Sequence, residues 1–374
     1  MKKTLIITLE YPPHVGGIAS FVYNMAAHLP ANDLVVWAPQ LEGDKEYDLK
    51  NGWKTFRGVS YYKIFWPRWL KLYWQIRRIV KSEKIQQIYV NHALPVGYIA
   101  RMIQRSFKIP FTVFFHGTDL EIGLKSKTQQ LKMVCKYAEK IVVNSNFLAE
   151  KLLNNCPSLN KDRITILNPG PADFFFTREP DEKIKKMKAE LALEGKKVLL
   201  SVSRLEDGKG YPHLLHLLPE ILKKIPNAVL IIVGDGPKKK TILDQIQKDN
   251  LQNCVRFVGN IPYNNLPSYY QVADLFVLLT HKDENHEEGW GTVFLEAAAS
   301  GLPVVAGRAG GVEEVVKNQK TGLVVDVNQE QNIVMAITSL LSETERAKEM
   351  GRFGMQRVQN EFMWNKQLTK ISSL

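Results

Sequence analysis

The chain has 374 residues, 45% hydrophobic and 24% charged, which fits two folded domains of ordinary size and excludes a disordered or fibrous protein. Its longest apolar runs, such as Val229–Val233 and Leu275–Thr280, are far too short to cross a bilayer. The formal net charge of +12 lies wholly in residues 1–172, with 24 Lys and Arg against 12 Asp and Glu, whereas residues 173–374 hold 26 of each. That half therefore points to an anionic partner: a membrane surface, a phosphorylated acceptor or nucleic acid.

The apolar start of the chain stops at Glu10 and Pro12 without a small-residue cleavage site, so it reads as a buried first strand and not as a leader. Further strands are expected at Leu34–Ala38, Gln87–His92, Phe111–His116, Ile141–Asn144 and Ile164–Leu167, after a first one at Thr4–Thr8. A second series follows at Lys197–Val202, Val229–Val233, Val255–Val258, Leu275–Thr280, Pro303–Ala306 and Gly322–Val325. Helical patterns lie between most of these runs. Apolar strands spaced by helices predict parallel sheets covered on both faces, and two series predict an α/β chain of two doubly wound, Rossmann-like domains facing a central cleft. The boundary is expected near Asn168–Pro171, giving domains 1–172 and 173–359, with the last helix (360–374) crossing back to the first. Cys135, Cys156 and Cys254 have neither metal nor disulfide spacing, which suits a reducing, cytoplasmic setting.

Four places carry candidate chemistry. After the first strand, Tyr11–Ile18 contains Gly16 and Gly17 just before a helix, where bare backbone and helix amides suit a phosphate; a tight turn without a ligand is the alternative. His116, in His116-Gly-Thr-Asp119, ends a strand where a ligand-facing residue would lie, although a histidine there can equally serve the fold. In Ser203–Tyr211, Arg204 and Lys209 straddle a flexible turn and could converge on a diphosphate, one as a fork and one as a point charge. Alanine at either is expected to leave folding intact while costing about 3 kcal/mol, or a hundredfold in rate. The strongest signal is Glu288–Glu296: Glu288 on a loop, Glu296 in the next helix, and the amides of Gly289, Trp290, Gly291, Thr292 and Val293 available to a phosphate. The carboxylates suit sugar and ribose hydroxyls.

Other motifs argue by their absence or spacing. Gly234-Asp-Gly236 lacks the third glycine of a dinucleotide fingerprint, and no Walker-type loop occurs. His281, Asp283, Glu284, His286 and Glu287 match no standard metal spacing, and no Asp-x-Asp exists to bridge a metal to a diphosphate.

Together, Arg204 and Lys209, the Glu288/Glu296 pair, Gly16-Gly17 and His116 resemble the retaining glycosyltransferases of family four, which have the GT-B fold. The likeness runs from Tyr11–Ile18 through Ile232–Gly236 and Gly310-Gly311 to Phe362-Met-Trp364, and it looks strongest toward bacterial phosphatidylinositol (monomannoside) mannosyltransferases. The resemblance implies that Arg204 and Lys209 bind the donor diphosphate, Glu288 the transferred sugar and Glu296 the ribose. Gly16-Gly17 would close over the phosphates and His116 would lie beside sugar and acceptor. It further implies GDP-mannose as donor, with a UDP-sugar as runner-up, a lipid-linked or saccharide acceptor, no metal requirement and no nucleic-acid partner. A sugar-nucleotide 2-epimerase and a nucleic-acid-binding protein are the competing classes.

One more segment bears on the acceptor. Between Tyr61 and Lys84 lie seven aromatics (Tyr61, Tyr62, Phe65, Trp66, Trp69, Tyr73, Trp74) and seven cations (Lys63, Arg68, Lys71, Arg77, Arg78, Lys81, Lys84), with Glu83 the only acid. Such a stretch suits an anionic inner membrane face, giving a cytoplasmic, peripherally attached enzyme. The bland alternative is a core-packing set of aromatics under a solvated basic face.

Overall fold

The computed structural model describes residues 2–372 apart from 15, 63–65 and 284–286, and only the backbone of residue 372. Val15, Lys63, Phe65, Glu284 and His286, all cited above, lie outside the described residues. The chain divides into two compact units, Met1–Pro169 with Trp364–Leu374, and Gly170–Met363.

The first unit holds a seven-stranded sheet: β1 Thr4–Ile7, β2 Leu34–Pro39, β3 Lys54–Gly58, β4 Gln87–Asn91, β5 Phe111–Phe115, β6 Lys140–Val143 and β7 Ile164–Ile166. Its order is β3-β2-β1-β4-β5-β6-β7, with every pair parallel. The second unit holds β8 Lys197–Val202, β9 Ala228–Val233, β10 Val255–Gly259, β11 Leu275–Leu278, β12 Val304–Gly307 and β13 Gly322–Val325, in the order β10-β9-β8-β11-β12-β13, again all parallel. Both are doubly wound sheets of the Rossmann type. The strand order reverses between β1 and β4 in one and between β8 and β11 in the other, and those switch points are where such sheets take ligands.

Burial on both faces explains the apolar strands. In β1, Leu5 and Ile7 enter one core cluster of the first unit and Ile6 the other; in β2, Val35 and Trp37 oppose Leu34, Val36 and Ala38 in the same way. The period of two distributes one continuous apolar run over two faces.

Strand β3 escaped the sequence reading. Lys54-Thr-Phe-Arg-Gly58 has no apolar run and no fully buried residue, and it is ordered from outside: it pairs along β2 from Val35–Lys54 to Pro39–Gly58. Arg57 then locks it, its Nε and Nη2 donating to Asp48 at 2.9 and 2.8 Å and Nη1 to the Pro39 carbonyl at 3.0 Å. A polar, charged strand of this kind protects a sheet edge.

The unit boundaries also shift from those expected. Ala172 and Phe175 are already buried in the second unit's core, so the chain has passed over by Gly170 and not after Ala172. Val358 and Phe362 still pack in that core, so the return falls at Trp364 and not at residue 360. The final helix, Trp364–Ser372, places Trp364, Leu368 and Ile371 in the first unit's core, the spacing of one helix face. Trp364 sits edge-on to Phe21 at 5.4 Å and stacks on His28 at 6.2 Å.

Candidate active site

In the second unit the loops leaving β8, β11 and β12 are tied to one another. The Gly208 carbonyl accepts from the His281 amide at 2.9 Å, joining the loop after β8 to that after β11. The Glu288 carbonyl accepts from the Gly311 amide at 2.9 Å, joining the β11 loop to that after β12. Gly210 adopts φ 75°, and a Cβ there would lie 2.1 Å from the Leu279 carbonyl oxygen, so only glycine permits this approach. Lys209 is thereby carried to the switch point.

Its Nζ lies 2.7 Å from Glu288 Oε2, with side-chain exposures of 10% and 14%. Lys209 is thus enclosed by the neighbouring loops against Glu288, a burial at odds with the expectation that alanine there leaves folding intact. Arg204 behaves differently. Its side chain is 71% exposed, with Nε 3.3 Å from Glu206.

Glu288 leads into the helix Thr292–Ala299, capped by Gly291 at φ 80°. The first amides of a helix are not used within it, so those of Thr292 and Val293 begin an anion-favouring terminus beside Lys209 and Glu288. The Trp290 side chain is buried against the Phe362 ring at 5.5 Å, so a phosphate contact from residue 290 could come only from its backbone. Glu296, in the same helix, is buried and accepts from the Tyr270 hydroxyl at 2.9 Å. Burial pushes its carboxyl up to about 7, although hydrogen bonds from Tyr270 and Tyr263 pull the other way. The sequence reading missed Tyr270.

Two other motifs turn out to be structural. At Gly234 and Gly236 (φ 142° and 159°) a Cβ would come within 1.9 Å of the Ser203 carbonyl oxygen and 2.5 Å of the Leu205 carbonyl oxygen. These glycines let two loops pack back to back. His281 stands edge-on to His213 at 4.9 Å and points Nδ1 at the Leu279 carbonyl, 3.1 Å away.

In the first unit, a polar cluster gathers at the ends of β1, β4 and β5. His116 Nε2 lies 2.9 Å from Asn91 Oδ1, and its backbone amide donates to Asp119 Oδ1 at 2.8 Å. Phe21 meets the imidazole edge-on at 4.7 Å and His92 lies 6.4 Å away, centroid to centroid. Burial, with His92 beside it, lowers His116 to about 3, so it is neutral at physiological pH. His92, at φ 76°, accepts from the Leu9 amide at 3.4 Å and points Nε2 at Glu10 Oε1, also 3.4 Å away. Burial lowers its pKa, but Glu10 and Asp119 outweigh that and the net shift is upward. Asn91, His92 and Glu10 were missed, though they end strands as His116 does, and that position was the available signal.

Gly16 is extended (φ 171°), and a Cβ on Gly17 would meet nothing within 4 Å. The turn itself therefore does not require this glycine pair.

The aromatic and basic stretch is part core and part surface. The helix Leu70–Ser82 buries Tyr73 with Leu72, Ile76, Ile79 and Val80, so Tyr73 is core. Trp69 packs on Tyr98 at 5.8 Å, and Arg77 lies over the Phe107 ring at 5.1 Å. Trp66 (88% exposed) and Trp74 (54%) face outward, as do Arg68, Arg78 and Lys81. No helix among the described residues is long and apolar enough to cross a membrane.

Known proteins match this arrangement along the chain. The model for Glycosyltransferase Family 4 matches residues 15–171, and that for Glycosyl transferases group 1 matches residues 182–357. A GDP-mannose-dependent alpha-(1-6)-phosphatidylinositol monomannoside mannosyltransferase of Mycolicibacterium smegmatis is 28% identical over 99% of this chain and 97% of its own. The N-acetyl-alpha-D-glucosaminyl L-malate synthase of Bacillus anthracis is 26% identical over 84% of this chain and 81% of its own. The structure of Anabaena HepE in complex with UDP and glucose shares the fold, with a TM-score of 0.83 and 21% identity over all of both chains. With a Family 4 domain in its first half, a group 1 domain in its second, and the two Rossmann-like sheets of the GT-B fold, the chain belongs to these glycosyltransferases.

Proposed function

We propose that this glycosyltransferase moves mannose from GDP-mannose, with retention of configuration and without a metal, to a lipid-linked or saccharide acceptor at an anionic membrane face. The observation that carries the donor site is the Lys209–Glu288 pair beside a helix N-terminus at the β8/β11 switch point. A cation and helix amides suit a leaving diphosphate, and a carboxylate suits the hydroxyls of the sugar. Exposed Arg204 adds a fork for the phosphates. Retention follows if the leaving diphosphate itself takes the proton of the incoming hydroxyl on the same face of the sugar.

Support for mannose comes from the nearly full-length likeness to the M. smegmatis relative. UDP-sugar donors are the second reading, favoured by the UDP and glucose held by the HepE fold neighbour. Exposed Trp66 and Trp74 next to Arg78 and Lys81 support a membrane-facing acceptor. A thermal-shift screen of GDP-mannose against UDP-glucose decides the donor, since a ligand at a hundred times its Kd stabilises by about 2.7 kcal/mol. A shift with UDP-glucose alone overturns the GDP-mannose assignment. Turnover abolished by chelator and restored by magnesium or manganese overturns metal independence.

A further inference from the structure

We propose that Asn91 is a positioning residue that holds His116 as the Nε2–H tautomer, presenting Nδ1 as a bare acceptor for a hydroxyl of a sugar or polyol ligand. This rests on the glycosyltransferase reading and names the device that orients its first-unit histidine. Asn91 ends β4 and is fully buried, and its Oδ1 lies 2.9 Å from His116 Nε2. An amide oxygen can only accept, so the proton must sit on Nε2 and the lone pair on Nδ1. Among the described residues nothing bonds to Nδ1, and His116 as a residue is not fully enclosed.

The fold does not account for Asn91. Its Nδ2 is enclosed without a partner among the described residues, as are Asp119 Oδ2 and Asn144 Oδ1 around the same histidine. Each such atom has lost its water without gaining a partner, so an apolar residue at 91 would serve packing better. Asp119 and Asn144 have their own hold on His116: Asp119 receives its amide at 2.8 Å, and Asn144 Nδ2 donates to its carbonyl at 3.4 Å. Backbone and ring are thus fixed by separate polar groups, while Phe21 closes one edge.

The titratable groups facing the ring are His92 from the end of β4, Asp119 from the loop after β5 and, through His92, Glu10 from the end of β1. His92 opposes a second positive charge nearby, so the neutral ring persists through the physiological range. A neutral nitrogen acceptor of low basicity can align a bound hydroxyl without taking up its proton.

Nitrogen–proton correlation spectra of the full chain, labelled at histidine, test this without any substrate. The wild-type His116 signal should be that of a neutral Nε2–H ring and should not titrate between pH 5 and 8. Asn91→Asp should make the same ring titrate within that window, and Asn91→Leu should lose the single tautomer. Asn91→Leu should lower kcat on the order of tenfold or more while leaving the KM for the nucleotide-sugar within about twofold. An Nδ1–H signal in the wild type, or titration of its ring above pH 5, overturns the proposal. So does Asn91→Leu with an unchanged tautomer and unchanged kcat. The wild-type spectrum stands even if the variants fold poorly. A chain that turns over no nucleotide-sugar yet shows the Nε2–H signal would refute the donor reading alone.

Discussion

Replacing Lys209 with Met keeps most of the side-chain volume and deletes the charge that faces Glu288. At 2.7 Å the attraction between the two charges is about 6 kcal/mol at an effective dielectric constant of about 20. Desolvation of both groups offsets much of that, and the consequence that matters is the carboxylate left behind. Removing one partner of a buried pair costs about 3–5 kcal/mol, and the residual exposure of 14% at Glu288 places this pair at the lower end. A loss of about 3 kcal/mol should lower Tm by about 6–12 °C for a domain of this size. Glu288→Gln alone should cost less, because it leaves a flexible ammonium that can reach water. The double variant Lys209→Met/Glu288→Gln should recover at least 2 kcal/mol relative to the sum of the singles, as expected for residues in contact. Arg204→Ala supplies the contrast: its side chain is 71% exposed, so stability should move by less than about 0.5 kcal/mol while turnover falls about a hundredfold. Urea denaturation of the four proteins, read by fluorescence, measures the cycle. Additive singles, or Lys209→Met as stable as wild type, would refute the reasoning that the pair is buried and coupled.

Glu296 should give the protein an unusual pH dependence. Its folded pKa of about 7 exceeds the ordinary 4.5, so the native state holds a proton that the unfolded chain releases, and this contribution favours folding at low pH and fades as pH rises from 4.5 through 7. Glu296→Gln should therefore match the wild type at pH 4.5 and exceed it by up to about 3 kcal/mol at pH 8, and an equal difference at both pH values would contradict this. Trp364→Ala should cost about 3–5 kcal/mol and strip hydrogen-exchange protection from Trp364–Ser372 and the first unit, with the second unit unaffected. Reversing Arg78 and Lys81 to Glu together with Trp66→Ser should abolish sedimentation with anionic liposomes and leave the donor thermal shift intact; a wild type that ignores such liposomes at low salt would move the acceptor toward a soluble saccharide.

Much of the fold was legible because both sheets are parallel and covered on two faces, which turns each inner strand into a short apolar run such as Val229–Val233. The exception obeys the same physics. Strand β3 is an edge strand whose order comes from β2 and from Arg57, contacts that lie far along the chain and leave no local pattern. The boundaries slipped by a few residues for a related reason. Ala172 and Phe362 are apolar residues in linker-like surroundings, and only the packed core says which unit buries them.

Legibility of the site divides along a different line. Loop residues announced by glycines were found, since a glycine turn after a strand is a local signal: Lys209 stands between Gly208 and Gly210, both at positive φ. What could not be read was the electrostatic state of each group. Lys209 and Arg204 occupy one loop and share a charge, yet one is enclosed against Glu288 and the other is open to solvent, because only residue 209 is pressed toward the loop after β11. Glu288 and Glu296 likewise looked like a matched pair. In the structure Glu288 answers a lysine, whereas Glu296 is buried under Tyr270 and held toward its neutral form. If a ribose diol sits at Glu296, as the family resemblance implies, the donor should bind more tightly once that carboxyl has lost its proton and become a full acceptor. The affinity for the nucleoside diphosphate alone should rise from pH 6 to pH 8, and Glu296→Gln should flatten that rise. A rise that survives in Glu296→Gln would place the titrating group elsewhere, and the phosphates themselves, whose last proton leaves near pH 6, would be the first to examine.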